Sequence, residues 1–259
     1  MPFYFKKMEP FHKDYSDYYN LLYHDKNYLL EVDYIEKLFK KYSKRKISKL
    51  LNLGCGTGNH DFIFAKKGYE ITGIDISNTM VKVANQNKQP AQSNPLFFQG
   101  DVRDIRLNKK FDSVAALFHV MSYQNSNQDV MNTFNTAKIH LKKNGLFIFD
   151  CWHGPAVLSE KPSVKIKRIN KGDQSLIRIA EPQIHFESNV VDVNYEIILF
   201  SSINPDFKKI NETHKMRYFF FPEIELFAKN AGFKIRASFE WLKLISPTEK
   251  SWSVTYILE

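Results

Sequence analysis

The stretch Lys49-Leu50-Leu51-Asn52-Leu53-Gly54-Cys55-Gly56-Thr57-Gly58-Asn59-His60 decides the fold. An apolar run of strand length enters a turn with three glycines in five residues, and a helix opens behind it. A turn without Cβ atoms lets backbone amides come within contact distance of a ligand. The reading is a buried strand, a ligand-cradling turn and a helix over 59–67, closed by Gly68 in the position that follows many helices.

Outward from this turn a strand–helix rhythm continues to Asp150. Strands are expected at 70–74, ending at Asp75, at 96–100, ending at Asp101, at 111–118, and at 146–149, ending at Asp150. One intervening helix is capped by Ser77 or Asn78 and includes Met80, Val81, Val83 and Ala84. Another spans 128–142, with Val130, Phe134, Ala137 and Leu141 on one face. Apolar strands alternating with such helices make a parallel sheet covered on both faces. From Cys151 the pattern becomes β-rich, with runs at 164–169, 175–180, 184–187 and 190–200 separated by turn signals such as Asn170-Lys171-Gly172-Asp173. An antiparallel sheet inserted after strand five is expected there. Lys215 to Phe221 adds a strand, Pro222 opens a helix, and 233–241 with 252–258 form a closing hairpin at one sheet edge. The fold class is α/β, a Rossmann-like seven-stranded sheet with an inserted antiparallel β subdomain. The expected parts are an N-terminal helical lid (1–45), the ligand-binding core (46–150), the insert (151–215), and a C-terminal helix with the last two core strands (216–259).

Before the core, Tyr15, Tyr18, Tyr19, Tyr23 and Tyr28 lie among acids and asparagines. Tyrosine offers an apolar plate with a polar tip, which suits either a lid over a ligand or a helix packed on the main body. Then Tyr28, Val32, Ile35, Phe39 and Tyr42 recur as one face of an amphipathic helix.

Composition narrows the function classes. No apolar run approaches the roughly 20 residues of a membrane span, and the first residues lack the apolar centre of a signal peptide. The two cysteines, Cys55 and Cys151, match no zinc spacing, so no metal is expected and a reducing cytoplasm is the compartment read. The net charge of +9 invites a nucleic-acid partner, but the only dense basic run, 40–46, sits at a helix end, where cations suit the dipole. An anionic small substrate accounts for the surplus equally well.

The spacing Gly54-x-Gly56-x-Gly58 misses the dinucleotide pattern G-x-G-x-x-G by one residue, which argues against a pyrophosphate cofactor. The turn resembles motif I of the class I S-adenosylmethionine-dependent methyltransferases, whose consensus is close to hh(D/E)hGCGTG. The resemblance extends through about Asp150, and S-adenosylmethionine is the cofactor it implies. It also implies that Gly54, Cys55, Gly56 and Gly58 surround the methionine end, with Tyr23 of the lid. Asp75 would receive both ribose hydroxyls, as an acceptor-only carboxylate can. Ile76 and Met80 would pack on adenine or ribose, and Asp101 and the Val102 amide would bond the base. Leu117 and Phe118 would lie under the donated methyl. Asn52 departs from the family, which commonly has Asp or Glu there to help hold the methionine ammonium.

Loops at the carboxyl ends of the strands carry His119, Tyr123, Trp152 and His153, the usual place for ligand groups in such sheets. Tyr123 and His153 are the expected proton acceptors. Tyr15, Tyr19, His119, Trp152 and Arg217 are the expected acceptor-binding residues; His185 and His214 lie on inserted strands, where a structural role is favoured over a functional one. The lid and insert resemble the small-molecule branch, and loosely the sugar-amine N-methyltransferases, in 19–28, 118–124 and Arg217-Tyr218-Phe219. Those enzymes place a basic His where this chain has Tyr123, which leaves a hydroxyl acceptor open beside an amine. The expected reaction moves a methyl group to an amine or hydroxyl of a small polar acceptor. The acceptor is read as a nucleotide-linked (amino)sugar or a related cell-surface polysaccharide or natural-product precursor. A homodimer stays open and no membrane partner is expected. An RNA or protein methyltransferase is the alternative, although no (D/N/S)-P-P-(Y/F/W) follows strand four and neither cysteine has a Pro-Cys setting. A non-catalytic S-adenosylmethionine-binding protein is a third reading.

Overall fold

β1 (Lys49–Leu53) is central, paired in parallel with β2 (Glu70–Asp75) on one side and β4 (Phe111–Ala116) on the other. The computed structural model describes residues 13–88, 94–201 and 207–259. β3 (Leu96–Gln99) extends the sheet beyond β2, and β5 (Leu141–His153) extends it beyond β4. The closing hairpin is present: β11 (Ser253–Leu258) runs antiparallel to β5, and β10 (Ile235–Glu240) antiparallel to β11. The core order is therefore β3-β2-β1-β4-β5-β11-β10.

Apolar helix faces cover both sides of this sheet. Val32, Ile35 and Phe39 of α2 (Tyr28–Tyr42) pack with Phe64 of α3 (Asn59–Lys66) over Leu50 and Ile148. On the other side Phe134 of α5 (Asn127–His140) meets Phe147 and Phe149 of the sheet and Phe227 of α7 (Phe221–Asn230), the helix that follows the short α6 (Gly154–Glu160) in the chain. α4 (Asn78–Gln86) is capped by Ser77, whose hydroxyl accepts from the Met80 amide. Among the described residues no helix is long and apolar enough to cross a membrane.

The antiparallel part is continuous with the core. β6 (Lys165–Lys171), β7 (Gln174–His185), β8 (Val190–Ser201) and β9 (Lys208–Phe219) pair in sequence. β9 joins the end of β5 through Trp152 opposite Tyr218 and His153 opposite Phe219. Three expectations change here. The runs on either side of Pro182 are one strand, β7. β4 stops at Ala116 because Phe118 and His119 adopt φ of +66° and +65°. The boundary between insert and C-terminal part, drawn after residue 215, falls inside β9; polar Glu212 and His214 at inward positions hide the strand's alternation.

α1 (Lys13–Leu22) lies over the glycine turn, where its Asn20 accepts from Thr57 Oγ1 at 2.8 Å and Asn59 Nδ2 at 3.2 Å. Lys167 of β6 holds the end of α1 from the other side, donating to the Leu22 carbonyl at 2.9 Å and to Asp25 at 2.8 Å. Residues 1–12 and the side chain of Tyr15 lie outside the described part.

The glycines of the turn predict a contrast in stability. Gly58 has φ +80°, and a Cβ there would stand 2.6 Å from Phe97 Cζ. Gly68 also has positive φ, +92°, but its Cβ would meet nothing within 4 Å. Gly68→Ala should cost only the left-handed strain, about 1–2 kcal/mol. Gly58→Ala adds an overpacking term of about 1–3 kcal/mol. Thermal unfolding of the two variants checks this; equal shifts in Tm would contradict it.

Candidate functional site

A cavity of about 700 Å³ opens at the carboxyl ends of β1, β2, β4 and β5, within the range of small-molecule sites. The glycine turn forms its floor, α1 and the start of α2 its lid, and β7, β8 and β9 a further wall.

Tertiary bonds shape the floor. The amides of Gly54 and Cys55 both donate to the Ile74 carbonyl, at 2.7 and 2.9 Å. Asp75 then accepts from the Gly56 amide at 2.8 Å through Oδ2 and from the Ser77 amide at 2.9 Å through Oδ1. Burial raises the Asp75 carboxyl above its ordinary value, and the two amides oppose that shift. The glycines have distinct reasons. A Cβ on Gly54 would collide with the Val120 side chain, and one on Gly58 with Phe97, so both serve internal packing. A Cβ on Gly56 would meet nothing within 4 Å, and this residue lines the cavity. Gly56 is the position where a ligand can use the missing side chain.

At the cavity's edge Asp101 accepts from its neighbour Arg103, whose Nε lies 2.9 Å from each carboxylate oxygen. That guanidinium holds the carboxyl below its usual range, against the opposing effect of burial. Under the floor of the opposite side, Asp150 fixes the left-handed pair after β4, accepting from the Phe118 amide at 2.7 Å and the His119 amide at 3.1 Å. His119 Nδ1 is 2.6 Å from Asp150 Oδ2. Phe118 thereby meets Tyr23 of the lid edge-on, with ring centroids 5.1 Å apart.

A short 3-10 helix, Val120–Tyr123, puts Tyr123 on the wall. Its hydroxyl is 2.7 Å from His214 Nδ1, and His214 Nε2 is 3.0 Å from Glu212 Oε2. Burial pushes the Tyr123 hydroxyl well above its ordinary value, and nearby Tyr195 adds to the shift. Arg178 of β7 also faces the cavity, with Cζ 5.1 Å from the Tyr195 ring and a buried Nε without a hydrogen-bond partner among the described residues.

Most sequence-based site residues meet here: Tyr19, Tyr23, Gly54, Cys55, Gly56, Asp75, Ile76, Met80, Asp101, Val102, Leu117, Phe118, His119, Tyr123 and Trp152 line one cavity. Four do not. His153 follows Trp152 on a strand, so its ring points the other way, where Nδ1 is 3.1 Å from the Ser251 carbonyl. Arg217 is likewise one residue past cavity-lining Met216; it bonds Asn127 Oδ1 at 2.7 Å and pairs with Glu223 of α7. Neither has the access that proton transfer or acceptor binding in this cavity needs. Gly58 caps α3 beneath the floor. Asn52 is buried below it, donating from Nδ2 to Asp61 Oδ2 at 2.9 Å. Cys55 lines the cavity, but burial, followed by the charges of Asp61 and Asp75, drives its thiol well above its usual range, which disfavours the thiolate. Sequence reasoning missed Arg178, Tyr195 and Glu212, and read His214 on an inserted strand as a structural group. Their signal was two-residue alternation in the insert, legible only once strand register is known.

The donor and acceptor set fits S-adenosylmethionine. Asp75 offers carboxylate oxygens where a ribose would lie, Asp101 a second acceptor at the base end, and the glycine turn an open approach at Gly56. A family model described as a methyltransferase domain matches residues 50–145. YqeM of Bacillus subtilis (strain 168), named as a methyltransferase, is 30% identical over 188 residues, covering 72% of this chain and 74% of that protein. The chain belongs to the S-adenosylmethionine-dependent methyltransferases. The dTDP-3-amino-3,4,6-trideoxy-alpha-D-glucopyranose N,N-dimethyltransferase of Streptomyces venezuelae is 28% identical over 149 residues, covering 57% of this methyltransferase and 61% of that enzyme. In fold, the chain matches the crystal structure of an S-adenosylmethionine-dependent methyltransferase from Clostridium acetobutylicum ATCC 824 with a TM-score of 0.81. That likeness covers 95% of this chain and 97% of the other at 21% identity.

The Asn52–Asp61 pair yields a pH prediction. Burial lifts Asp61 from an ordinary value near 3.8 to about 7. The folded chain therefore keeps a proton that the unfolded chain releases, and this group's contribution to stability falls as pH rises from about 4 to 7. Asp61→Asn removes the titration. Its stability relative to the parent should climb over that window, by at most about 4 kcal/mol, and level off above it. Urea unfolding at pH 4, 6 and 8 measures this; a difference that does not change with pH would contradict it.

Proposed function

We propose that this methyltransferase methylates the amine of a nucleotide-linked amino sugar. The carrying observation is Arg178 on the cavity wall, a guanidinium whose buried Nε has no hydrogen-bond partner among the described residues. A diphosphate would supply acceptors for such a group, and guanidinium–phosphate bonds are among the stronger hydrogen bonds in proteins. The relative from Streptomyces venezuelae, named for a dTDP-linked amino sugar, supports the same acceptor class.

When bound, S-adenosylmethionine supplies an activated methyl group. The chain's own residues do the rest. Asp75, Gly56 and Asp101 hold the cofactor, while Phe118, fixed by Asp150, supports the reacting region. The lid tyrosines Tyr19 and Tyr23, with Trp152 and Trp252, exclude water and align the acceptor nitrogen. Alignment of this kind can supply on the order of 7–11 kcal/mol. Tyr123 is the wall group that takes the acceptor's proton, while His119 and Trp152 contact the acceptor.

Formation of S-adenosylhomocysteine with dTDP-linked amino sugars, their hydroxyl counterparts, free amino sugars and an RNA oligonucleotide tests the reading. Turnover is expected with the dTDP-linked amines. Arg178→Met should raise KM for them roughly 10–100-fold with a small effect on kcat, the loss of a charge-assisted hydrogen bond. Turnover confined to RNA or to the hydroxyl sugars would overturn the proposal.

A further inference from the structure

Glu212 and His214 occupy alternate positions on β9, so both point inward with Ile210 and Met216. They are 3% and 2% exposed, an unusual depth for a carboxylate and an imidazole on a strand that could have been wholly apolar there. Tyr195 of β8 stands edge-on to the His214 ring with centroids 4.9 Å apart, and Tyr123 does so at 5.8 Å. The ring is thus wedged in one orientation, Nε2 toward Glu212 and Nδ1 toward Tyr123.

The hydrogen-bond roles follow from the ends inward. A carboxylate only accepts, so the Nε2–H of His214 donates to Glu212. Nδ1 is then the lone-pair nitrogen and accepts from the Tyr123 hydroxyl. Tyr123 lines the cavity with its proton directed away from it. This is the arrangement of a base oriented by an acid, with a tyrosine between the base and the ligand.

We infer that Glu212, His214 and Tyr123 form a relay that draws the acceptor's proton out of the cavity. The inference rests on the amine-methylation reading above. The acceptor N–H bond breaks and its hydrogen binds the Tyr123 oxygen, while the original tyrosine O–H bond breaks and its proton binds Nδ1. The acceptor nitrogen bonds the methyl carbon, and the electrons of the broken C–S bond stay on sulfur. The positive charge lost at sulfur reappears on the His214 ring, beside the Glu212 carboxylate. Tyr123 touches the acceptor; His214 and Glu212 act through it. Burial, which keeps the tyrosine hydroxyl protonated, makes a partner of this kind necessary. His119, an imidazole that lines the cavity, faces Asp150 Oδ2, which already accepts from the His119 amide and from Ser253 Oγ at 3.3 Å. That arrangement holds a turn.

Two measurements on the full chain test the relay. Nitrogen-15 NMR of the His214 ring should show hydrogen on Nε2 and an unprotonated Nδ1, and Tyr123→Phe should shift the Nδ1 resonance. Hydrogen on Nδ1 overturns the inference whatever the acceptor is. With a dTDP-linked amine, His214→Gln should lower kcat about 100-fold, as loss of a proton acceptor does, with little change in KM. The loss should shrink for acceptors with less basic amines, a dependence that a packing defect would not show. Glu212→Gln gives the same pattern more weakly and serves if His214→Gln does not fold. Equal losses for every acceptor, or a loss found only in His119→Gln, overturn the relay. If the parent protein methylates no amine, the function reading fails separately, and the ring nitrogen resonances still decide the hydrogen-bond chain.

Discussion

The Asp75 carboxylate is the constraint on which the site depends. One oxygen holds the Gly56 amide and the other the Ser77 amide, so a single side chain ties the glycine turn to the start of α4. The Ile74 carbonyl, one residue earlier, receives the amides of Gly54 and Cys55. The end of β2 thus shapes the turn after β1, although twenty residues of chain separate them. A buried carboxylate at this place is costly unless amides or ligand hydroxyls meet it. The same atoms that set the turn are those a ribose would address.

The remainder of the cavity is built by two elements that the core sheet does not contain. The C-terminal end of α1 is held from two sides, by the glycine turn through Asn20 and by Lys167 from β6, so the lid engages both the core and the insert. The insert in turn is fastened to the core where β9 meets the tip of β5. Asp150 and Trp152, on the last turn of that strand, belong to the floor and the wall respectively. The junction between core and insert is therefore also the place where acceptor and methyl would meet.

How much of this was legible follows from strand periodicity. The ends of β2 and β3 could be read because each apolar run stops at a polar residue, and Asp75 and Asp101 line the cavity. Where two functional types adjoin on a strand, the choice between faces fails by one residue: sequence patterning groups His153 with Trp152 although their side chains point to opposite faces, and picks Arg217 in place of Met216. A one-residue step on a strand moves a side chain to the opposite face, and no local feature of these runs says which face is inward. Glu212 escapes notice and His214 reads as a structural group for a further reason, since polar residues at inward positions show no role until β8 and Tyr123 supply their partners. Asn52 read as a lost charge; it lies below the cavity and donates to Asp61, in the first turn of the helix behind it.

If Asp75 organises the site for the nucleoside of S-adenosylmethionine, its carboxylate sets the affinity for the cofactor product. Calorimetric titration of S-adenosylhomocysteine into the parent protein and into Asp75→Asn measures this. Binding should weaken roughly 100-fold in the variant, the loss of about 3 kcal/mol of charge-assisted hydrogen bonding. Equal affinity in the two proteins would contradict it.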